Sequence, residues 1–225
     1  MKIDLHCHSY YSYDGISSPE KLIKSALKKG LDGIAITDHD TITGWKEALL
    51  AAKKLNAFLI LGEEVKTKEG DILGLFLKEE IKTKTPLEAI KEIKNQGGIA
   101  MVPHPFHFLK KFKGNLETYK NLIDGIEVFN SRALFGNDKK ALEFVKRNNL
   151  AQLAGSDAHY HKCVGDAFTI VEGAENLEDF KKGILERKTK IEGKRTFFFY
   201  LIYPKAERIL WKALKLVKTA IKIRR

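Results

Sequence analysis

Near its start the chain reads Ile3-Asp4-Leu5-His6-Cys7-His8-Ser9, in which a short apolar run leads directly into two histidines. The apolar residues predict a β-strand over residues 3–6. On an extended segment, side chains two positions apart point to the same side, so His6 and His8 can bind one metal ion together. Cys7, between them, should point the other way and pack as a small apolar residue. This segment therefore predicts a strand with a metal site at its carboxyl end.

The rest of the chain repeats this organisation. Short apolar runs alternate with amphipathic helical patterns, the order expected of βα units around a parallel sheet or barrel. Two helix starts, Ser17-Ser18-Pro19-Glu20 and Thr85-Pro86-Leu87-Glu88, place Pro in the first turn and offer side chains to free backbone N–H groups. The predicted strands cover residues 3–6, 33–37, 58–64, 71–76, 99–102, 125–128, 151–154 and 167–171. The fold class is therefore α/β.

Five of the seven histidines fall at or just after the carboxyl end of a predicted strand. They are His6, His8, His39, His104 and His159, and the acids beside them are Asp4, Asp14, Asp38, Asp40, Glu63, Glu64 and Asp157. In parallel sheets and barrels these strand ends meet on one face, so residues that are far apart in sequence become one cluster. Imidazole and carboxylate groups together suit first-row divalent ions such as Mn²⁺, Fe²⁺ or Zn²⁺.

The overall composition is that of a globular protein. With 44% hydrophobic and 31% charged residues among 225, it excludes disordered and collagen-like chains. The longest apolar run, residues 197–203, has seven residues, whereas a spanning helix needs about 20. Two cysteines are too few for a disulfide framework, and the first residues do not have a signal-peptide pattern. We therefore expect a cytoplasmic protein.

The net charge of +11 is unevenly distributed. Residues 194–225 contain ten Lys and Arg and one acid, which leaves residues 1–193 almost neutral. We predict a barrel domain over residues 1–193 and a C-terminal appendage over residues 194–225, in which an aromatic run precedes a basic amphipathic helix. The apolar side of that helix suits docking on the barrel, and its lysines suit an anionic membrane surface or nucleic acid. The sequence leaves these three alternatives open.

Five motifs follow one another along the chain. They are Asp4-Leu5-His6-Cys7-His8-Ser9 with Ser12-Tyr13-Asp14-Gly15, Ile36-Thr37-Asp38-His39-Asp40, Gly62-Glu63-Glu64, Pro103-His104-Pro105, and Ser156-Asp157-Ala158-His159 with Val164-Gly165. Taken together, they resemble the motifs of the PHP (polymerase and histidinol phosphatase) superfamily. The resemblance, strongest to the stand-alone metal-dependent phosphoesterase branch, implies a distorted (β/α)7 barrel. It also implies roughly two to three divalent ions at the carboxyl face of the barrel.

The resemblance further implies which residues bind the ions. One ion is expected on His6, His8, Glu64 and Asp157, a second on Glu64 and His104, and a third on Asp14, His39 and His159. The family pattern Gly-x-Glu selects Glu64 over Glu63, because adjacent strand residues face opposite sides. Asp4, Asp38 and Asp40 are expected to accept hydrogen bonds from imidazole N–H groups, with a helix or turn cap as the alternative for Asp40.

At two positions the chain departs from the fullest pattern of the family. Asn130 and Asp71 stand where some members have histidine, so the second ion is expected to lack one ligand or to use Asn130 or water. Arg132 is a candidate phosphate clamp, because a guanidinium binds phosphate through two parallel hydrogen bonds; a surface salt bridge is the alternative. His107 and His161 are candidates for protonating a leaving group, with an ordinary surface position as the alternative. The candidate substrate-binding residues are thus Arg132, Asn130 and His161.

The ligand set predicts hydrolysis of a phosphoester by a metal-activated hydroxide, without a side-chain nucleophile. The expected substrate is a phosphomonoester, a nucleotide or a short oligonucleotide, and histidinol phosphate is the alternative. The alternative of another class is a metal-stabilised binding module attached to membrane or nucleic acid through its basic tail. A closed structural site usually has four ligands, fewer than this cluster offers, and this favours the enzyme.

Overall fold

The computed structural model describes residues 1–108, 110–134, 136–204 and 206–207. Within these residues one sheet contains β1 (Lys2–Cys7), β2 (Gly33–Ile36), β3 (Phe58–Thr67), β4 (Gly70–Leu75), β5 (Ile99–Val102), β6 (Gly125–Asn130), β7 (Ala151–Gly155), β8 (Ala167–Ile170) and β9 (Lys190–Gly193). The helices are α1 (Pro19–Lys28), α2 (Trp45–Leu55), α3 (Pro86–Asn95), α4 (Leu116–Tyr119), α5 (Asp138–Asn148) and α6 (Leu177–Leu185), with a 3₁₀ turn at His161–Cys163. Every predicted strand is present.

The sheet curls into a nearly closed barrel. Its strand order is β7-β6-β5-β4-β3-β2-β1-β8-β9. Beyond the end of β7 the chain returns to β1, where the Ala158 amide donates to the His6 carbonyl (3.2 Å) and the His8 amide donates to the Ala158 carbonyl (2.8 Å). This closure brings the carboxyl ends of β1 and β7 side by side. The predicted distorted α/β barrel is confirmed.

Two parts of the sheet run antiparallel, contrary to the simple βα alternation. β4 lies between β3 and β5 and pairs antiparallel with both. Only Lys68 and Glu69 connect β3 to β4, and a parallel pair would need a crossover of a dozen or so residues. β8 pairs antiparallel with β1, and β9 with β8. β9 is absent from the prediction because the strand is largely exposed and has almost no apolar residues.

The two predicted helix starts behave differently. At α1 the Ser18 hydroxyl accepts a hydrogen bond from the Lys21 amide and Pro19 opens the helix, as expected. At α3 the Thr85 hydroxyl instead donates to the Glu88 carboxylate (2.6 Å) and caps no backbone N–H group, so the capping prediction is wrong there. α3 is held mainly by its buried face, formed by Ala89, Ile90 and Ile93.

Apolar side chains fill the barrel interior towards its amino end. Alternate positions of the strands contribute Ile3, Leu5, Ala35, Ile60, Leu73, Leu75, Ile99, Met101, Ala151 and Leu153 to one buried cluster. Phe180 and Ile184 of α6 join this cluster and close the amino end of the barrel, close to where the Val171 amide bonds the Met1 carbonyl. The apolar interior leaves the carboxyl end of the barrel for polar groups.

The C-terminal segment is described only in part. Residues 198–204 are helical. The predicted basic amphipathic helix, with its apolar positions at 209–221, lies outside the described residues. The division into residues 1–193 and 194–225 stays a prediction, as does the cytoplasmic location. Among the helices that the structure describes, none is both long enough and apolar enough to cross a membrane.

Candidate metal centre

Glu64, near the carboxyl end of the parallel part of β3, lies at the middle of the imidazole cluster. One carboxylate oxygen is 3.1 Å from His6 Nε2, 3.1 Å from His8 Nε2 and 3.2 Å from His39 Nδ1. The other oxygen is 3.1 Å from His104 Nε2. All five side chains are buried. One carboxylate therefore contacts imidazoles that come from three different parts of the chain.

Asp157 and Asp14 extend this cluster on the side of β7. Asp157 Oδ1 lies 3.5 Å from His8 Nε2 and 3.3 Å from His159 Nδ1. Asp14 Oδ2 lies 2.8 Å from His159 Nε2 and 3.6 Å from His39 Nε2. The eight residues that the sequence predicts as ligands are thus brought together at one end of the barrel.

Irregular backbone conformations orient several of these side chains towards the cluster. The register of β1 against β2 shifts between Asp4 and Cys7, a bulge that re-aims the strand just where His6 lies. His104 and Asp157 adopt positive φ angles of 33° and 52°, in the left-handed region that residues other than glycine rarely occupy. Such conformations cost free energy and tend to cluster at functional sites. Their occurrence here indicates that ligand placement outweighs local backbone preference.

The ligand atoms fall into three groups, within each of which all atoms lie within 4.8 Å of one another. The groups are His8, Asp14, His39 and His159; His6, His8 and Asp157; and Glu64, Asp71 and His104. The spacing of each group suits a first-row divalent ion with imidazole and carboxylate ligands. Compared with the sets implied by the resemblance, His8 also approaches the third set, and Asp71 joins Glu64 and His104.

Buried nitrogens without hydrogen bonds support the fit of a cation to this cluster. Both ring nitrogens of His8 and of His39 have no hydrogen-bond partner among the described residues, although carboxylate oxygens lie close to them. His159 Nδ1 contacts the Asp157 carbonyl (2.9 Å), which leaves its Nε2 lone pair facing the Asp14 carboxylate. Two acceptors that face each other repel, and a bound cation would relieve that repulsion. The residues present therefore fit a divalent metal.

The charges of the cluster shift its acid–base equilibria. Burial would lower the pKa of His6 and of His8, but the surrounding carboxylates raise it, for His8 to about 9. Burial would raise the pKa of Glu64 and of Asp157, but the imidazoles hold it well below its usual range. At His159, burial and the nearby His8 and Arg132 lower the pKa to about 3. The metal-free cluster thus holds protons that an incoming cation has to displace.

Glu127, in the middle of β6, contacts the second ring nitrogen of His6. It is absent from the predicted site. His6 Nδ1 donates to one of its oxygens (3.1 Å), while the His104 amide (2.9 Å) and Asn130 Nδ2 (2.8 Å) donate to the other. Its side chain is fully buried. A carboxylate that accepts from the second nitrogen of a ligand histidine fixes the tautomer and orientation of the ring. In the sequence, the feature that could have identified Glu127 is its position as the one acid within the otherwise mostly apolar strand Gly125–Asn130.

Asp4, Asp38 and Asp40 do not bond imidazoles, so their predicted role is wrong. Asp4 accepts from the amides of Ser156 (2.9 Å) and Gly165 (2.8 Å), and Asp38 accepts from the amide and hydroxyl of Ser9. Asp40 accepts from the Lys66 amide and the Lys84 ammonium and caps no helix, since α2 begins at Trp45. These carboxylates instead satisfy backbone donors of the loops that carry the cluster.

Glu63 faces away from the cluster, as the alternation along β3 predicts. One of its oxygens accepts from the Ile81 amide (2.9 Å), and the other has no hydrogen-bond partner among the described residues. Burial raises the pKa of Glu63 to about 7. An ionised carboxylate in this position is therefore costly, which makes the stability of the metal-free protein depend on pH.

We expect Glu63→Gln to stabilise the metal-free protein at about pH 8 and to change little at about pH 4. The folded carboxyl titrates near 7 and the unfolded one near 4.5, so the folded state loses stability as the pH rises through this window. Glutamine removes that loss, by about 1 kcal/mol once solvent screening is allowed for. Chemical denaturation in the presence of a chelator measures it. An equal effect at both pH values would contradict the assignment.

Asp71 and Asn130, the two departures from the family pattern, take different roles. Asp71 adds a carboxylate to the Glu64 and His104 group, and burial together with the Glu64 charge raises its pKa. Asn130 Oδ1 accepts from the amides of Arg132 and Ala133, both at 3.0 Å. Because its amide group also donates to Glu127, Asn130 is occupied within the protein. Neither end of Asn130 is left for a metal or a substrate, so that prediction is not supported.

A cleft of about 60 Å³ opens beside the cluster. It is lined by His104, His107, Lys110, Asn130, Arg132, Ala133 and Asp157. Burial would lower the pKa of Lys110, but Asp157 and Glu64 raise it, so this ammonium stays charged. Burial would raise the pKa of Asp157, but the histidines of the cluster and then the Arg132 guanidinium lower it, so the Arg132 charge acts on a proposed metal ligand. Two cationic side chains thus line a cleft that ends at the proposed metal ligands.

Two other predicted positions lie away from this cleft. His161 Nδ1 contacts the Ser17 hydroxyl (3.1 Å), and its ring packs on Tyr160, so the structure does not bring it to the proposed substrate side. Its placement as a substrate-binding residue is therefore not supported. Cys7 is fully buried among apolar side chains, as predicted. Burial raises the pKa of its thiol well above the usual range, so it stays protonated.

The first residues after β9 are bonded to the loop that carries Arg132. The Thr196 amide donates to the Ser131 carbonyl (2.9 Å), and the Thr196 hydroxyl contacts Ser131 Oγ (2.8 Å) and Asp166 Oδ2 (3.0 Å). Arg195 adds a hydrogen bond to the Asn130 carbonyl (2.5 Å). We call residues 194–196 the strap. Through it the C-terminal segment restrains the wall of the cleft.

The fold and the site together are those of a metal-dependent α/β barrel. Imidazoles and carboxylates meet at the carboxyl ends of its strands, in groups spaced to hold divalent ions. Within that class the chain belongs to the PHP domain family, because the PHP domain model matches residues 4–220.

Comparison with known proteins agrees with this assignment. An uncharacterized protein from Methanocaldococcus jannaschii is 41% identical over 142 residues, 58% of this chain and 82% of that protein. A 5'-3' exoribonuclease from Haemophilus influenzae is 41% identical over 103 residues, 44% of this chain and 37% of the enzyme. A solved two-domain protein from Bacteroides vulgatus, which contains a predicted PHP-like metal-dependent phosphoesterase, has a TM-score of 0.76 at 24% identity, covering 86% of this chain and 65% of that one. The chain thus spans less than two thirds of the last two proteins, and the structural likeness supports the fold.

Proposed function

We propose that this protein is a metal-dependent phosphoesterase that hydrolyses a nucleotide or a short oligonucleotide. The observation that carries the proposal is the Glu64 carboxylate in contact with four imidazoles, at the end of a cleft lined by Lys110 and Arg132. Metal ligands next to cationic side chains suit a substrate that brings phosphoryl oxygens to both.

The proposed ligands follow the geometry of the cluster. One ion would be held by His6, His8 and Asp157 with Glu64, a second by Glu64, Asp71 and His104, and a third by Asp14, His39 and His159. Mn²⁺, Fe²⁺ or Zn²⁺ suit these ligands, and two to three ions would fit the groups. When bound, such ions lower the pKa of a coordinated water and polarise phosphoryl oxygens.

The side chains of the cleft would bind and orient the substrate. The Arg132 guanidinium can bond two phosphoryl oxygens at once, and Lys110 adds a second positive charge. Asn130 and the strap fix the loop on which Arg132 lies. Burial and the nearby His104 lower the pKa of His107, which makes this imidazole a poor proton donor at neutral pH. The suggested role of His107 in protonating the leaving group is therefore not favoured.

The choice of substrate rests on charge and on one relative. The cationic cleft favours a polyanionic substrate, and a relative that matches 44% of this chain is a 5'-3' exoribonuclease. Histidinol phosphate carries an ammonium group, which Lys110 and Arg132 would repel. A purely structural role for the metals would leave unused the ligands beyond one closed set, and it would not explain the cleft beside them.

The proposal is tested with protein that has been loaded with Mn²⁺ and whose metal content has been measured. A panel of phosphomonoesters, nucleotides, short oligonucleotides and histidinol phosphate should yield hydrolysis of a nucleotide or oligonucleotide. If the loaded protein leaves the whole panel intact, the proposal is wrong. Faster turnover of histidinol phosphate than of any nucleotide would overturn the choice of substrate and leave the reaction class standing.

Within that assay we expect Arg132→Met to raise KM about tenfold and to change the metal content little. Methionine keeps much of the side-chain volume but removes the charge that faces the substrate. Arg147→Met is the matched control, because Arg147 is exposed and pairs with Glu117 on another part of the surface. Equal kinetics of the two variants would show that Arg132 is not a phosphate clamp.

Thr196→Val should raise KM several-fold while the metal content stays unchanged, because the isosteric valine removes the hydroxyl that links Ser131 to Asp166. Thr196→Ser should restore the wild-type value. Thr189→Val is the matched control, since the Thr189 hydroxyl is also buried but bonds the Gln152 carbonyl away from the cleft. If both valine variants change KM equally, the strap does not position Arg132.

A further inference from the structure

Phe197 and the helix that begins at residue 198 present apolar side chains to the solvent. Phe197 is 70% exposed, Phe198 61%, Phe199 57% and Ile202 49%. We call these four residues the aromatic face. A surface helix normally turns its apolar side inwards, so an outward-facing group of this size indicates an interaction surface.

The aromatic face is firmly attached to the barrel. On the inner side of the same helix, the Tyr200 and Tyr203 rings pack on Tyr160, with ring centroids 5.8 and 4.8 Å away. Lys162 Nζ lies 5.7 Å from the Tyr200 ring. The strap anchors the start of the segment through the Thr196 hydroxyl. The inner side is therefore satisfied by the barrel, and the outer side is left for another partner.

The charge next to the aromatic face indicates what that partner is. Residues 194–225 contain ten Lys and Arg and one acid. Later in the sequence, apolar residues recur at spacings of three and four from Ile209 to Ile221, with lysines between them. An anionic bilayer surface satisfies both kinds of residue at once, since phenylalanine and aliphatic side chains enter the acyl boundary while lysines meet the lipid phosphates. Nucleic acid would use the lysines and leave Ile202 and the apolar positions without a partner.

We propose that the aromatic face binds the surface of an anionic lipid bilayer, to which the positive charge of the sequence around it adds attraction. This binding needs no membrane-spanning helix and does not depend on the proposed hydrolysis. Since the strap joins the same segment to the Arg132 loop, a bound protein would hold its cleft in a fixed orientation to the bilayer.

The test uses the full chain and two kinds of vesicle, one of phosphatidylcholine alone and one of equal parts of phosphatidylcholine and phosphatidylglycerol. Co-sedimentation should show binding to the mixed vesicles that is about tenfold tighter than to phosphatidylcholine and that weakens with added salt. The double variant Phe198→Ser/Phe199→Ser should lose about tenfold or more of that affinity, and Phe198→Trp should keep it.

Leu50→Ser is the matched control, because Leu50 is 64% exposed on α2, outside the aromatic face. It should bind like the unchanged protein, and all variants should keep the same thermal unfolding. Lack of binding to mixed vesicles, or equal loss in the control, would overturn the proposal. So would tighter binding to a single-stranded oligonucleotide with the same dependence on Phe198 and Phe199, which would assign the surface to nucleic acid.

Discussion

Glu64→Gln is expected to lower kcat/KM by about a thousandfold or more. The Glu64 carboxylate lies within 3.2 Å of ring nitrogens of His6, His8, His39 and His104. Glutamine keeps the shape but removes the negative charge, and its amide directs N–H donors at nitrogens that have to stay free for a cation. In the proposed arrangement Glu64 would be a ligand of two ions, so the variant should hold both more weakly. The effect should therefore appear in metal content as well as in rate.

Elemental analysis after loading with Mn²⁺ should find fewer ions per chain in Glu64→Gln than in the unchanged protein. Glu63→Gln is a control one residue away on the same strand, with its side chain on the opposite face. It should keep both the metal content and the rate. If Glu64→Gln retained its full metal content and activity, the assignment of Glu64 as the shared ligand would have to be abandoned.

Glu127→Gln should reduce metal affinity and kcat/KM by roughly ten- to a hundredfold, although Glu127 lies in none of the three ligand groups. The carboxylate accepts from His6 Nδ1, from the His104 amide and from Asn130 Nδ2. Three donors converge on it, and a glutamine can accept on one side only, so at least one buried donor loses its partner. His6 would then be less basic and less firmly oriented.

The comparison is best made by titrating metal into chelator-treated protein and measuring binding directly. Glu69→Gln is a suitable control, because Glu69 also accepts from a side chain, the Tyr119 hydroxyl at 3.1 Å, but contacts no histidine of the cluster. Its metal affinity should be unchanged. Unaltered affinity in Glu127→Gln would mean that the orientation of His6 comes from packing alone.

Much of the barrel and the cluster can be predicted because both depend on short-range patterns. Apolar runs mark the strands, and His6, His39 and His104 lie at or just after the carboxyl ends of three of them, so one rule about strand ends brings them together. The alternation along β3 puts Glu63 and Glu64 on opposite faces, and the Gly-x-Glu pattern implied by the resemblance selects Glu64, whose side chain does face the cluster. The resemblance to the PHP superfamily further predicts that residues 4–15 and residues 156–165 contribute to the same site. No local sequence pattern predicts that contact.

The remaining features depend on contacts that sequence patterns do not encode. β4 runs antiparallel because of a two-residue connection, and the apolar pattern of a strand does not indicate its direction. Asp4 and Glu127 are both acids in apolar strands, yet only the fold shows that Asp4 accepts from loop amides while Glu127 meets His6. His161 follows the last motif closely, but the turn at His161–Cys163 directs it to Ser17.

The closure of the barrel between His6 and Ala158 also determines when the site can form. Ligands near the start of the chain meet ligands some 150 residues later, so the cluster depends on contacts of high sequence separation, which form slowly during folding. On the ribosome, His6 and His8 emerge long before Asp157 and His159. An ion held by the complete set therefore becomes possible only after Asp157 and His159 have emerged, and its retention would report that the segment after β7 has docked on β1.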